Sequence, residues 1–577
     1  MEKLNSKSLR KGKEGEISFN KHGHFWLDSG LVGLIKTLGS IDTGQVTVRT
    51  DDAQLVLSGP LDEIERVLTT AYNYMTENYY NLSTKKQKDD LNSYNFYYDE
   101  EKDQFVSFPK RKSMGIAEII YNKAPRPTED IVKWEKKYEK KIEFGGKQVK
   151  RKRGVLPKKY AHLQERMDKF LDEHGIDVTT SGLLLNGPNA VMPKMKIELK
   201  SSKNKGNCYL CGQPSSQLEE ANQTVFPLIT GSSGLLSFNS NAGKPEKVCW
   251  KCSLLGKFVP VSGFYMYQGN HLFAFLPYSN SLEKMVDTYD LLQEIKYDDP
   301  NLYKNFNHPL GHYFQHIFEI TFAFLYTLYD KLLIRKYARE EEGDEIEFDL
   351  EKMYDLTINK APVEFYVIHA QKEKNSVPVK SAWPFKDTVY FFRLIEKLEI
   401  ETGYRMKSIL PFLLDYTESS NEAKSMTRNR VLERILSKRS ILELVEKHVY
   451  HADLAGFKPL LDMLLVYENI LKEGDPLFKE ERDAAVKLGR IIGMAVGKSE
   501  NGKKGDLYAL RKTRTMVDFL EQLNRLQFKL GSNFVLPSDL YEGKLTHENF
   551  SEFKQFCMIA ALNSYYYAVN PKKDGKD

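Results

Sequence analysis

Apolar residues recur at helical spacing soon after the N-terminus. In FWLDSGLVGLIKTLG, Leu27, Leu31, Leu34 and Leu38 return every three or four positions, which predicts an amphipathic helix with Asp28 or Ser29 near its start. The period then drops to two. Val46 and Val48 alternate with polar residues, Asp51-Asp52 marks a turn, and Leu55 to Leu57 returns, so 45–59 reads as a hairpin. After Gly59-Pro60 the helical period resumes, with Leu61, Ile64, Leu68, Ala71 and Met75 on one face and proline opening the first turn. The stretch 72–98 is crowded with Tyr and Asn. It reads as an aromatic core face followed by a polar loop, in preference to a base-stacking platform.

Past residue 300 helical patterns dominate. The longest apolar run, Ile320 to Tyr329, lies between Glu319 and Asp330. It is too short to cross a bilayer and predicts a buried helix. Further on, GDLYALRKTRTMVDFLEQLNRLQFKLG places Leu510, Met516, Val517, Leu520, Leu523, Leu526 and Leu530 on one arc of a helical wheel. Arg511, Arg514, Arg525 and Lys529 fall on the opposite arc, so one helix with a packing face and a row of cations is expected. A plain solvated face is the simpler account of those cations taken alone. His308, His312 and His316 stand at i, i+4 and i+8, where a half-buried helix face beneath Phe314, Phe318 and Phe322 is a better reading than a metal site.

The whole pattern predicts an α+β protein. Residues 1–125 form an N-terminal α/β domain, 126–160 a basic arm or linker, and 161–300 a cysteine-bearing module. Residues 301–400 form a helical or mixed connecting region and 401–577 a helical C-terminal bundle. The chain has 577 residues and is 41% hydrophobic, enough for several domains with a large core. Its basic start has no apolar segment behind it, so a cytoplasmic protein without a membrane partner is expected.

Charge changes the picture at one place. Residues 131–160 hold 12 Lys or Arg against 3 Glu, a net of +9, while the whole chain sums to only +5. The rest is therefore slightly acidic, and the positive charge is concentrated in one segment, read as a mobile arm or a long hairpin. Lys136, Lys137, Lys140, Lys141, Lys150, Arg151, Lys152 and Arg153 are its candidate phosphate contacts.

The cysteines carry the strongest local signal. NCYLCGQ and KVCWKCS supply Cys208, Cys211, Cys249 and Cys252, four of only five cysteines in the chain. Two Cys-x-x-Cys turns in a reducing cell suggest one tetrahedral S₄ site, which suits a single structural zinc ion and leaves no open position for catalysis. Gly212 fits the tight turn of a zinc knuckle. The 37-residue insert between the pairs is rich in Gly, Ser and Asn and contains no His, which argues against an HNH-type nuclease. Lys203, Lys205, Lys244, Lys247, Lys251 and Lys257 surround the cysteines, and Lys203 and Lys205 join the candidate phosphate contacts. Phosphate-cradling, metalloprotease and nucleophile-elbow motifs do not occur, so a non-catalytic chain is expected.

Three segments together, FWLDSGLVGLIKTLG, CYLCG…FPLITGSSGLLSFNS…CWKC and GDLYALRKTRTMVDFLEQLNRL, resemble the zinc-bearing large subunit of type I-A or I-B CRISPR surveillance complexes (Cascade). The resemblance spans most of the chain. It implies an antiviral-defence subunit that binds guide RNA and target DNA, recognises the protospacer-adjacent motif in duplex DNA and steadies the R-loop. It also implies contacts with the backbone, handle-binding and small subunits, and recruitment of a helicase-nuclease or of transposition proteins. The helical C-terminus would correspond to the small subunit. Two other readings remain open from the residues: a stand-alone nucleic-acid enzyme with scattered acidic residues, and a zinc-stabilised scaffold with protein partners only.

Overall fold

The computed structural model describes residues 14–121, 131–179, 181–187, 195, 197, 199, 203–221, 225–227, 247–296, 310, 314–341, 364–373, 377–472, 475–531, 536–538 and 541–570. The fold is α+β, with sheets in the N-terminal half and helices dominating the C-terminal half. The chain divides into two compact units, Met1–Glu294 with Asn359–Lys386, and Ile295–Ile358 with Asp387–Asp577. This division is not the linear succession that composition suggested. The strands Glu364–Gln371 and Val379–Phe385, inside the expected connecting region, pair onward from His271–Tyr278 and Phe264–Gln268 to complete a four-stranded antiparallel sheet of the first unit.

In the first unit, the strands Glu14–Asn20, Gln54–Pro60 and Thr47–Thr50 form a three-stranded sheet in that spatial order, so the expected hairpin gains an outer strand. The first helix, Phe25–Leu38, starts three residues before Asp28 and takes His24 as its N-cap. Asp28 is fully buried and accepts hydrogen bonds from the His22 N–H (2.7 Å) and His24 N–H (3.1 Å) while pairing with Lys21 (3.1 Å). These bonds satisfy donors at the helix start and fix the entering loop. The helix Leu61–Met75 buries Ile64, Val67, Leu68, Ala71, Tyr72 and Met75, as its spacing predicts. Tyr80 is also fully buried and donates to the Lys257 carbonyl at 3.0 Å.

A further helix, Trp250–Ser262, is buried on nearly every side. It meets Phe25–Leu38 backbone to backbone. A Cβ on Gly30 would lie 1.9 Å from the Leu255 carbonyl oxygen, and one on Gly33 would lie 2.3 Å from that of Phe258. The Ser262 hydroxyl donates to the Ser29 carbonyl at 2.7 Å across the same crossing.

The basic segment is not a free arm. Lys136–Phe144 and Lys147–Val155 form a two-stranded antiparallel hairpin, turned by Gly145 and Gly146 with φ of 58° and 73°. Its Ile142 and Arg153 are buried, and the neighbouring helix Gln164–His174 contributes Met167 and Leu171 to a core with Phe96, Tyr98 and Leu183.

In the second unit, every residue from Glu319 to Tyr329 is buried within the helix Ile317–Glu341, as the apolar run predicts. Among the described residues no helix is long and apolar enough to cross a membrane. The helices Pro476–Lys498 and Phe550–Val569 also touch through glycine. A Cβ on Gly489 would lie 2.0 Å from the Cys557 carbonyl oxygen, and one on Gly493 would lie 2.1 Å from that of Ala561. Buried Glu319 accepts from Arg428 Nε at 2.7 Å, with both side chains fully enclosed and the guanidinium 4.1 Å from the centre of the Phe314 ring.

The expected single C-terminal helix is two helices, Lys504–Arg511 and Met516–Leu530. Thr515 caps the second, accepting from the Asp518 N–H at 3.1 Å, and β-branched Thr513 and Thr515 favour the break. The break resets the wheel. Phe519, Leu523 and Leu526 point inward, while Val517 is 54% exposed.

Two substitutions test these contacts. Gly30→Ala should lower the unfolding free energy of the first unit by about 3 kcal/mol, because a backbone carbonyl blocks the methyl. An unchanged denaturation midpoint would show that the helices do not meet as described. Arg428→Met should cost the second unit about 3–5 kcal/mol by stranding Glu319 without its partner, and adding Glu319→Gln should recover most of that loss, read by urea unfolding.

Candidate metal centre and cationic hairpin

The four cysteines come from two different local structures. Cys208 and Cys211 sit on a knuckle between the short paired strands Gly206–Asn207 and Pro214–Ser215. The Cys208 N–H donates to the Gln213 carbonyl at 2.8 Å and the Gly212 N–H to the Cys208 carbonyl at 2.8 Å. Gly212 has φ +70°, which favours glycine. Its N–H closes the turn, and the next one, that of Gln213, is directed at the Cys211 sulfur. Cys249 and Cys252 come from the other side. The strand Lys247–Cys249 pairs with Leu218–Glu220, and Cys249 then caps the buried helix Trp250–Ser262, which carries Cys252 in its first turn.

All four sulfurs lie within 4.8 Å of one another. Those of Cys211 and Cys249 are 3.8 Å apart. A tetrahedral thiolate site with bonds of about 2.3 Å has sulfurs about 3.8 Å apart, so the spacing suits one bound ion. Backbone donors point at the cluster: the Cys249 N–H reaches Cys208 Sγ at 3.2 Å and the Cys252 N–H reaches Cys249 Sγ at 3.5 Å. Such donors stabilise thiolate charge, and Cys208, Cys249 and Cys252 are buried. These four residues can hold one metal ion, and with all positions filled by sulfur the ion would crosslink the knuckle to the buried helix.

The lysines around the cysteines divide. Lys203, Lys205 and Lys247 are exposed. Lys251 turns inward and donates to the Ser18 carbonyl at 2.6 Å. Lys257 is 1% exposed and donates to Ser253 at 2.7 Å; burial pulls its pKa below the ordinary value against the opposing pull of Glu219. Lys244 lies outside the described residues, as does most of the insert.

On the hairpin, strand alternation sorts the candidate cations by face. Facing the Gln164–His174 helix, Lys140 pairs with Asp172 at 2.8 Å, and fully buried Arg153 binds Asp172 at 2.5 Å and the Ile176 carbonyl at 3.0 Å. Arg151 reaches Asn92 at 2.5 Å. Burial pushes the Asp172 carboxyl up, but its bonds from Lys140 and Arg153 outweigh that and hold it below the usual range. Arg153 is thus a structural residue and is unavailable to phosphate, a correction to its reading from the sequence. On the opposite face Lys137, Lys141, Lys150 and Lys152 are exposed, and Lys141 stands directly across from Lys150. Lys136 is exposed near the hairpin's base.

The expected C-terminal cation row is also broken up. Arg511 binds Glu446 through two nitrogens, at 2.5 and 3.0 Å, and lies 4.7 Å from the Tyr450 ring centre. Lys529 binds both oxygens of Asp506 at 2.7 and 2.8 Å. Arg525 faces Glu521 loosely at 3.7 Å, and Arg514 is exposed. The partners that sequence reasoning missed, Asp172 and Glu446, carry no local signal, since Glu446 lies 65 residues from Arg511. Of the three histidines, His316 lies just before the Ile317–Glu341 helix and pairs with the Glu422 carbonyl at 3.0 Å, whereas His308 and His312 fall outside the described residues.

A scan against protein families finds no match for this chain, and a search of curated proteins finds none either.

Elemental analysis of the purified chain is expected to find one tightly bound metal ion per molecule. Cys208→Ser should lose that ion and lower the melting temperature, and a strong chelator should reproduce both effects in the unaltered chain. A well-folded preparation free of metal would refute the site.

Proposed function

We propose that this chain is a non-catalytic, nucleic-acid-binding large subunit of an RNA-guided CRISPR surveillance complex, braced by one structural zinc ion and working in the cytoplasm. The observation that carries the nucleic-acid reading is the exposed hairpin face. Lys137, Lys141, Lys150 and Lys152 outnumber Glu139 and Glu143 on that face, and Lys141 and Lys150 stand directly opposite each other, an arrangement that by itself destabilises a strand pair. A bound polyanion relieves that repulsion, and each neutralised phosphate releases counterions. Zinc is the metal that best suits four thiolates in a closed tetrahedral shell.

The resemblance of the three sequence segments to the Cascade large subunit supplies the more specific part. In such a complex base pairing with a guide reads the target, while protein reads a short duplex motif and the backbone. Strand exchange there is nearly balanced, so a modest cationic face is enough to tip it. The proposed partners are accordingly guide RNA, target DNA, the other Cascade subunits, and a helicase-nuclease or transposition proteins. The non-catalytic reading draws support from the acidic residues. Asp51 accepts from the Ala53 and Gln54 N–H groups at 2.8 and 2.9 Å, so that carboxylate shapes a turn.

Replacing Lys141, Lys150 and Lys152 together with Ala should weaken DNA binding for every target sequence and reduce the slope of log affinity against log salt by about 2–3. An unchanged slope would remove the hairpin from the interface. The complex itself is tested by purifying the tagged chain from its own cells. Recovery with a guide RNA and repeated backbone subunits is expected, and recovery without any guide-bearing assembly would sink the reading.

A further inference from the structure

A cleft of about 370 Å³ lies against the sulfur cluster, between the end of the Glu14–Asn20 strand, the Pro214–Ser215 strand and the first turn of the Trp250–Ser262 helix. Its size falls among pockets that take small organic groups, about 300–1,000 Å³. Asn20, His22, Gln213, Trp250 and Lys251 line it beside Cys211 and Cys249. Phe19 and Trp250 form an aromatic wall, meeting edge to face with centroids 5.8 Å apart. Lys251 is anchored, its ammonium on the Ser18 carbonyl and 5.6 Å from the centre of the Phe19 ring. Among the described residues the side-chain amides of Asn20 and Gln213 and the indole N–H of Trp250 have no hydrogen-bond partner within the chain.

Charge narrows the occupant. With a divalent ion bound, the four thiolates would carry a net negative charge along one wall of the cleft, offset in part by Lys251. A phosphate is repelled there, whereas a neutral planar group is not. Among the described residues the one cation in the lining, Lys251, is held on the Ser18 carbonyl, and the exposed cations stand outside: Lys205 donates its backbone N–H to the Ser215 carbonyl at 2.9 Å, and the Lys247 carbonyl accepts from the Tyr209 N–H at 3.0 Å, so both flank the knuckle. Carboxamides offer a donor and an acceptor side by side, which matches the mixed edge of a nucleobase.

We infer that this cleft takes one unpaired nucleobase of a bound strand, with its ring against Trp250, its polar edge on Asn20 and Gln213, and its flanking phosphates near Lys205 and Lys247. The inference rests on the nucleic-acid reading above and names a base-binding site within it.

The test uses the full metal-loaded chain and short labelled single strands of one sequence, as DNA and as RNA, either intact or with one abasic position moved along the strand. One abasic position should weaken binding about fivefold or more. Trp250→Ala, and separately the double variant Asn20→Ala with Gln213→Ala, should abolish the difference between intact and abasic strands while leaving the salt slope unchanged. Asn20 and Gln213 are exposed, so the double variant reports even where Trp250→Ala fails to fold, and metal content checks both. The DNA and RNA arms identify which strand supplies the base. Intact strand binding with no penalty at any abasic position overturns the inference and leaves the parent reading standing. A penalty that survives in the double variant also overturns it, because the base then lodges elsewhere. Failure to bind any strand removes both.

Discussion

The first unit depends on a contact that admits no side chain. At Gly30 and Gly33 the helix Phe25–Leu38 lies directly on the carbonyl oxygens of Leu255 and Phe258. That approach fixes the buried helix Trp250–Ser262, and its first turn carries Cys252 just after the capping Cys249. One sulfur pair is therefore placed by the packing of the core and the other by a six-residue knuckle between two short strands. A metal ion joining the two would transmit the rigidity of the first to the second. This is the use of a closed S₄ site that its burial and donor set suggest.

The second unit reaches the same end by different means. The helices Pro476–Lys498 and Phe550–Val569 pack through Gly489 and Gly493, again with carbonyl oxygens where Cβ atoms would be. No sulfur cluster lies in this unit among the described residues. Here the enclosed Glu319–Arg428 pair links the Ile317–Glu341 and Asn421–Leu436 helices, and Glu319 also accepts from the Gln315 and His316 N–H groups at 2.9 and 3.1 Å. A buried pair of this kind fixes geometry at a desolvation cost, so it specifies an arrangement more than it adds stability.

Much of this was legible in the sequence wherever a local rule governs. The helices Phe25–Leu38 and Leu61–Met75, the hairpin between them and the buried run at 320–329 follow from local pattern, although only Leu61–Met75 buries a single face, while Phe25–Leu38 and the run at 320–329 are enclosed nearly all round. The cysteine cluster follows from spacing. What could not be read depends on contacts far apart in the chain. The strands Glu364–Gln371 and Val379–Phe385 join a sheet begun about a hundred residues earlier, and nothing in their own composition assigns them to it. The C-terminal helix was read as one because a wheel carries its phase through Thr513–Thr515, where the chain in fact restarts. Glycine seams escape a hydrophobic count altogether, since the residue that matters is the one with no side chain.

Charge shows the same division and explains how a near-neutral protein can still present a cationic surface. Counting lysines and arginines along 131–160 treats them as equivalent, but the pleat separates them. Residues on the inner face meet Asp172, Asn92 and a core, so Lys140, Arg151 and Arg153 are held by the fold. Residues on the outer face meet water, and there the Lys141–Lys150 rung sets two lysines directly opposite each other, with Glu139 and Glu143 flanking it only on the diagonals. A solvated face selected only for solubility would gain from interspersed opposite charge at that rung, as Glu139 gives opposite Lys152. At the next rung of the same face the two lysines have acids only on the diagonals, so the pleat, not the composition, decides where positive charge gathers.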